Sequence, residues 1–373
     1  MSGVTAQGQS RAAAPFSWQR VWSGVWPAVA SVVLALVIAG AVITITGADP
    51  VAAYRALVEG ALLREGTATR PTAFLETLVS ATPYLVLALG ISLGFAAGLF
   101  NIGAEGQLYM GALASVVVGF ALSGLPWIVH LPLALVAGVL AGALWAGIAG
   151  WLKAARGAPE VVVTIMLNYI AYAVVNYMVN GPIRHTGTAP RTPDIQASAV
   201  LPTLLPAPER IHWGFVLAIA CAVGYYFLLY RSALGLRIRL VGANREAARY
   251  AGINVNSTYL ITMVISGGLC GMAGAIEVLA LYRYLPTEFT TGYGFDSIAV
   301  ALLGQGHPVG VALAALLFGA LANGAGYMQF SSGVSNYIIA VMQAFIIVFV
   351  AAPGIVRDLF RWARPKRAEV EVE

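Results

Sequence analysis

"LPLALVAGVLAGALWAGIAGWL", residues 131–152, runs for 22 residues without one charged side chain. As an α-helix rising about 1.5 Å per residue it is long enough to cross about 30 Å of hydrocarbon. Comparable runs occupy Ala28–Thr46, Val161–Val179, Trp213–Tyr230, Tyr259–Ile276 and Tyr337–Ala352. Lipid offers the backbone no hydrogen-bond partner, so such segments must be helices unless they close a barrel. They lack the two-residue alternation a barrel needs. The composition agrees: of 373 residues 59% are apolar and 10% charged, with a mean hydropathy of +0.81. A soluble domain carries roughly a quarter charged residues. The chain reads as an all-α polytopic membrane protein.

About ten membrane-spanning helices are expected, at 27–47, 74–99, 105–122, 131–152, 160–180, 211–230, 257–280, 289–305, 308–328 and 335–352. The eighth is weak, because it is short, carries Asp296 and is broken by "GQGHP" at 304–308. The basic residues set an orientation. With the N-terminus inside, segments 1–26, 153–159, 231–256 and 353–373 hold fourteen Lys and Arg residues, against seven on the other side. That bias predicts cytoplasmic N- and C-termini. The membrane-spanning body is 27–353, flanked by cytoplasmic tails 1–26 and 354–373. Of the outer loops, 48–72 mixes acids and arginines. Segment 181–210 holds six prolines, which forbid a long helix and predict an extended, ordered loop.

The net charge of +5 lies in inter-helix stretches and marks membrane orientation rather than nucleic-acid binding. Cys221 and Cys270 fall inside expected spans, so no disulfide framework is indicated. The first apolar run lacks a clear small-residue cleavage site and reads as an uncleaved span. Small residues recur every fourth position at Gly90, Gly94 and Gly98; at Gly138, Gly142, Ala146 and Gly150; and at Gly267, Gly271 and Ala275. Stacked on one helix face, they predict close helix–helix contact.

Several chemistries are excluded. The two lysines, Lys153 and Lys366, follow Leu and Pro, so no G-x-x-x-x-G-K-[ST] phosphate loop exists. "GISLG" at 90–94 imitates a serine-hydrolase elbow but sits within an apolar span. His130, His185, His212 and His307 are scattered at span ends and loops and read as structural. No metal site is expected.

The intramembrane polar groups remain, and they are costly enough to bury that each needs a reason. "GLFNIGAEGQLYMG" at 98–111 places Asn101, Glu105 and Gln107 among glycines that weaken a regular helix. On a helix Asn101 and Glu105 share a face. A broken helix is expected here, with Glu105 near a helix start, where the dipole favours a carboxylate. Glu105 either ties the broken helix together or lines a solute path. "APEVVVTIMLNYIAYAVVNYMVNG" at 158–181 carries polar groups every fourth residue: Glu160, Thr164, Asn168, Tyr172, Asn176 and Asn180. Four steps of about 100° overshoot one turn, so this stripe winds slowly round the helix. Amides, hydroxyls and rings suit a small neutral polar solute, and interhelical hydrogen bonding is the competing use. Glu277 and Asp296 lie toward the expected outer side with Arg283 nearby, as a candidate gate ion pair.

The inner segment "RSALGLRIRLVGANREAARYAGINVNSTY" at 231–259 is basic and contains a short helical stretch, Ala243–Tyr250. Asn244 is placed to cap it and Gly252 to end it. Ala243, Ala247, Ala248 and Ala251 make one face small and smooth, beside Arg245 and Glu246. A membrane-surface helix would show bulky anchors, so docking into a socket on another protein is the better reading.

Three stretches carry a resemblance: "GLFNIGAEGQLYMGALAS" (98–115), "GAPEVVVTIMLNYIAYAVVNY" (157–177) and "GLRIRLVGANREAARYAGINV" (235–255). In them the chain resembles the permease subunits of ABC importers, of the simple-sugar and nucleoside type related to the ribose and branched-chain amino acid permeases. The resemblance spans roughly 28–353. It implies pairing with a second, related permease and a cytoplasmic ATPase that holds ATP and Mg, this chain itself having no cofactor. An extracytoplasmic lipoprotein would deliver a neutral solute, usually a nucleoside, to a complex in the cytoplasmic (inner) membrane. It also implies that the segment within 235–255 that holds Ala243–Gly252 is the coupling helix seated on the ATPase. An ion-coupled secondary transporter is the rival from another class, using Glu105 or Glu277. Simple sugars or branched-chain amino acids are the alternative solutes.

Overall fold

The computed structural model describes residues 18–63, 72–290 and 292–352 of the chain. The expected C-terminal tail and residues 1–17 of the N-terminal one lie outside the described residues. Among the described residues there are thirteen α-helices and no strands beyond isolated bridges. Eight helices are long and apolar enough to cross a membrane. They are α1 (Trp18–Ile45), α3 (Thr72–Ala96), α4 (Ala104–Ala121), α5 (Trp127–Arg156), α6 (Glu160–Asn180), α7 (Trp213–Tyr226), α10 (Val255–Glu277) and α12 (Pro308–Ser332). Single π turns extend α7 to Arg231 and α10 to Tyr282.

The first helix begins at Trp18, inside the stretch expected to be a tail. The 48–72 loop is partly helical: α2 (Pro50–Val58) starts on a proline, is capped by Asp49 and runs on as a π turn to Leu63. Proline tolerates a first helical position because its missing N–H would be unpaired there anyway. Two shorter helices remain in the bundle, α11 (Tyr293–Leu303) and α13 (Tyr337–Ala351). At 11 residues α11 is about 16 Å long, half a membrane crossing. The expected span 289–305 is therefore a half-helix, and residues 284–290 before it are not helical.

The core is built from α3, α4, α5 and α10, and small residues set the spacing. A Cβ on Gly271 of α10 would lie 2.3 Å from the Gly138 carbonyl oxygen of α5, and one on Gly111 of α4 would lie 2.3 Å from that of Gly271. Backbones that close require glycine, so the small-residue pattern does serve packing. The proline-rich loop crosses one end of the bundle, with a single 3-10 turn at Ala197–Ala199. It bonds backbone to backbone with α10 and its continuation, from Thr192 N–H to the Leu285 carbonyl (3.0 Å), Ile195 to Arg283 (2.8 Å) and Leu201 to Leu279 (2.9 Å). The basic segment lies at the other end, as α8 (Ala233–Ala243) and α9 (Arg245–Tyr250).

Candidate functional site

The chain breaks between α3 and α4, and residues 97–103 tie the break with side chains. The Asn101 Oδ1 accepts from the Gly103 N–H at 3.1 Å, an Asx turn. Asn101 and Gln107 exchange both amide hydrogen bonds, at 3.0 and 2.9 Å. Asn101 also donates to the Ser266 hydroxyl at 2.9 Å, which donates to the Gly90 carbonyl at 2.7 Å. Both amides are buried. Asn101 precedes α4 rather than sharing a helix face with Glu105, because the helix starts only at Ala104. Asn101 and Gln107, expected as path-lining candidates, hydrogen-bond to each other in this buried joint.

Glu105 sits in the first turn of α4, 1% exposed. Its Oε2 accepts the N–H of Gly294 at 2.5 Å, and its Oε1 accepts from the Thr290 hydroxyl. Gly294 is the second residue of α11, so Glu105 caps a helix other than its own. The first four N–H groups of a helix lack internal partners, and the dipole there favours negative charge. Gly294 must be glycine, since a Cβ would lie 2.4 Å from the Glu105 nitrogen. Two helix starts thus meet across one carboxylate.

Asn168 on α6 does the converse service. Its Oδ1 accepts the Gly106 N–H in the first turn of α4 at 2.8 Å, and its Nδ2 donates to the Ile102 carbonyl at 2.9 Å. Thr164, one turn earlier, is buried against Gly103 and bonds back to the Glu160 carbonyl at 2.7 Å. Glu160 itself pairs with Lys153 across the α5–α6 turn at 2.8 Å. The polar stripe of α6 therefore divides: Asn168 holds the start of α4 and Thr164 packs against Gly103 just before it, while Tyr172 and Asn176 line a cavity.

That cavity, about 570 Å³, is bounded by Glu105 and Tyr109 of α4, Tyr172 and Asn176 of α6, and Thr287 and Thr290 of the non-helical segment before α11. Its aromatic wall continues as a chain of edge-to-face rings, Tyr172 to Tyr109 (4.9 Å), Tyr109 to Phe289 (5.7 Å) and Phe289 to Tyr282 (5.2 Å). Sequence reasoning missed Tyr109, Thr287 and Thr290. Tyr109 stood four residues from Glu105, a spacing that brings side chains onto one face.

The candidate gate ion pair is not formed. Arg283 ends α10 in the left-handed region (φ +62°), and its side chain is exposed. Among the described residues neither acid pairs with it. Asp296 accepts from the Tyr84 hydroxyl at 3.3 Å instead. Glu277 is buried, and the arginine that shares its cavity is Arg210, whose Nη2 lies 2.6 Å from Glu76.

In the basic segment Asn244 caps α9, accepting from the Ala247 N–H at 3.0 Å. Gly252 (φ +79°) ends it with a Schellman pair, Ile253 N–H to the Ala248 carbonyl and Gly252 N–H to that of Arg249, both 3.0 Å. Ala243 closes α8 rather than opening α9. Ala248 turns inward at 3% exposure, because successive helical residues point about 100° apart. The face left open carries Arg245, Glu246, Ala247, Tyr250 and Ala251. Behind α9, a Cβ on Gly242 of α8 would lie 2.2 Å from the Ala96 carbonyl, directly against the end of α3.

Residues 73–351 match the family described as branched-chain amino acid transport system / permease component. The guanosine ABC transporter permease protein NupP of Bacillus subtilis is 42% identical over 79% of this chain and 85% of its own length. The chain belongs to this family of ABC-transporter permeases. The permease is also 35% identical to the glucose ABC transporter permease TsgB13 of Haloferax volcanii, over 85% of this chain and 84% of that one. It is 31% identical to the nucleoside ABC transporter permease NupB of Lactococcus lactis, over 89% and 92% respectively. As a permease it is a transport component, and its apolar helices are those of a multi-pass membrane protein.

Proposed function

We propose that this permease is one of two related membrane subunits of an ATP-driven nucleoside importer in the cytoplasmic membrane, with about ten crossings and both termini inside. The observation that carries the solute is the cavity between Glu105, Tyr109, Tyr172, Asn176 and Thr290. Its volume suits a small ligand. Rings face it for a base, and amide, hydroxyl and carboxylate groups for a sugar. Two relatives named for nucleoside transport support the same class. The glucose permease among the relatives favours a simple sugar as the second reading.

The second permease has a place to sit. Beside the cavity, α6 exposes Met166, Tyr169, Ile170 and Tyr177, an apolar strip that would complete the path from outside this chain. A partner ATPase would bind ATP with its magnesium and seat α9 in a groove, and a lipoprotein would present the solute at the loop end. The route of coupling follows from contact. A push on α9 reaches α8, then the Gly242–Ala96 contact, then the Asn101 joint, and then Glu105, which holds the start of α11. The 97–103 break lets α3 and α4 shift relative to each other without unwinding either. Uptake of labelled guanosine by the assembled importer, competed by excess inosine, glucose or leucine, tests the solute. Competition by glucose and not by inosine would move the assignment to sugars.

A further inference from the structure

Beyond Phe289 lies a second cavity, about 500 Å³, that the coupling route does not use. Ser80, Arg210, Glu277, Tyr282, Tyr284 and Tyr293 line it. Glu277 is 2% exposed, and its Oε1 has no hydrogen-bond partner. A buried carboxyl oxygen left without a donor is expensive and is retained where something supplies one. Arg210 is already bound to Glu76 through Nε and Nη2, at 3.1 and 2.6 Å. The cation at the rim is therefore spoken for, which counts against a phosphate-bearing ligand. Rings, hydroxyls and one open acceptor remain.

We propose that this cavity is a second solute subsite, in which Glu277 Oε1 accepts the ring N–H of a nucleobase packed among Tyr282, Tyr284 and Tyr293. The inference rests on the nucleoside reading and sharpens it to a base preference. Bases with an oxo group and an adjacent ring N–H, such as hypoxanthine and guanine, present a donor to that oxygen. Adenine presents a ring nitrogen lone pair at the same position, so acceptor would face acceptor. A site built around a donor rejects the analogue lacking it far more strongly than an apolar pocket rejects a missing methylene. Phe289 packs against both Tyr282 of this cavity and Tyr109 of the first, so the two cavities share an aromatic partition.

The test is the ratio of inosine to adenosine uptake by the assembled importer, which cancels differences in subunit amount. Wild type is expected to favour inosine, and Glu277→Gln, whose amide can donate to the adenine nitrogen, to lower the ratio at least ten-fold. Ser80→Trp fills the cavity from α3 while Glu277 itself is kept, and is expected to stop uptake of both. If Glu277→Gln carries neither nucleoside, Ser80→Trp decides. An unchanged ratio in Glu277→Gln, or full uptake by Ser80→Trp, overturns the subsite while leaving the nucleoside reading intact. Absence of any nucleoside uptake by wild type overturns both.

Discussion

The Glu105 carboxylate accepts the backbone N–H of Gly294 at 2.5 Å, joining the first turns of two helices whose partners lie 189 positions apart in the chain. The costly acid in the apolar stretch "GLFNIGAEGQLYMG" thus has a structural use. The same carboxyl borders the larger cavity, so its two roles must be separated by substitution.

Glu105→Gln keeps an oxygen for the Gly294 N–H and can donate its amide to the Thr290 hydroxyl. Glu105→Ala leaves the Gly294 N–H unpaired, at a cost of about 1–3 kcal/mol. The glutamine variant should retain most uptake, while the alanine variant loses it and melts earlier. Loss of uptake in the glutamine variant with unchanged melting would assign the negative charge to the solute.

Asn168→Leu should strand the Gly106 N–H and the Ile102 carbonyl together, for about 2–6 kcal/mol in all. The effect should appear as a lower melting temperature and a lower maximal uptake rate at unchanged solute KM. A raised KM with normal melting would make Asn168 a solute contact.

Gly271→Leu should prevent assembly of the bundle, because the Gly138 carbonyl of α5 occupies the place of the new side chain. Monodisperse protein with wild-type melting would contradict this packing. Leu144→Ala, on an exposed face of α5, should leave melting within a degree or two of wild type.

His212 caps α7, its Nδ1 accepting the Gly214 N–H at 3.1 Å. Burial pushes its pKa down from 6.5 to about 4. The unfolded chain takes up the proton first as pH falls, so the contribution of neutral His212 is complete above pH 6.5 and is lost as pH approaches 4. Melting temperature should fall across that window, by the equivalent of up to about 3 kcal/mol. His212→Asn, which can cap but does not titrate there, should flatten the fall. An identical pH profile in that variant would remove His212 from the account.

How much of this was legible in the sequence depended on distance. The eight long apolar helices were readable because membrane depth imposes a local constraint, a long run without charges. Asn244 and Gly252 were readable for a similar reason, since caps act within one turn. Helix α8 was missed because its arginines, Arg237 and Arg239, masked its helical periodicity. Helix α2 was missed because Arg55 and Glu59 made its segment look like a loop. The stripe on α6 was visible, but its division was not: Asn168 has its partner 62 positions away, and nothing in its own segment marks it off from Tyr172. Arg283 was assigned to the acids by proximity in sequence, although the turn that ends α10 directs it outward.

The central claim is ATP-driven nucleoside import coupled through α9, and one measurement meets it directly. Labelled inosine uptake is followed in vesicles carrying the assembled importer, with and without internal ATP, for wild type and Ala247→Arg. Ala247 lies on the open face of α9 and is exposed, so a bulky charge there spares the fold and blocks the groove contact. The account predicts ATP-dependent uptake in wild type, and in Ala247→Arg loss of both uptake and the co-purifying ATPase. Uptake that persists in Ala247→Arg after the ATPase has been lost would contradict it.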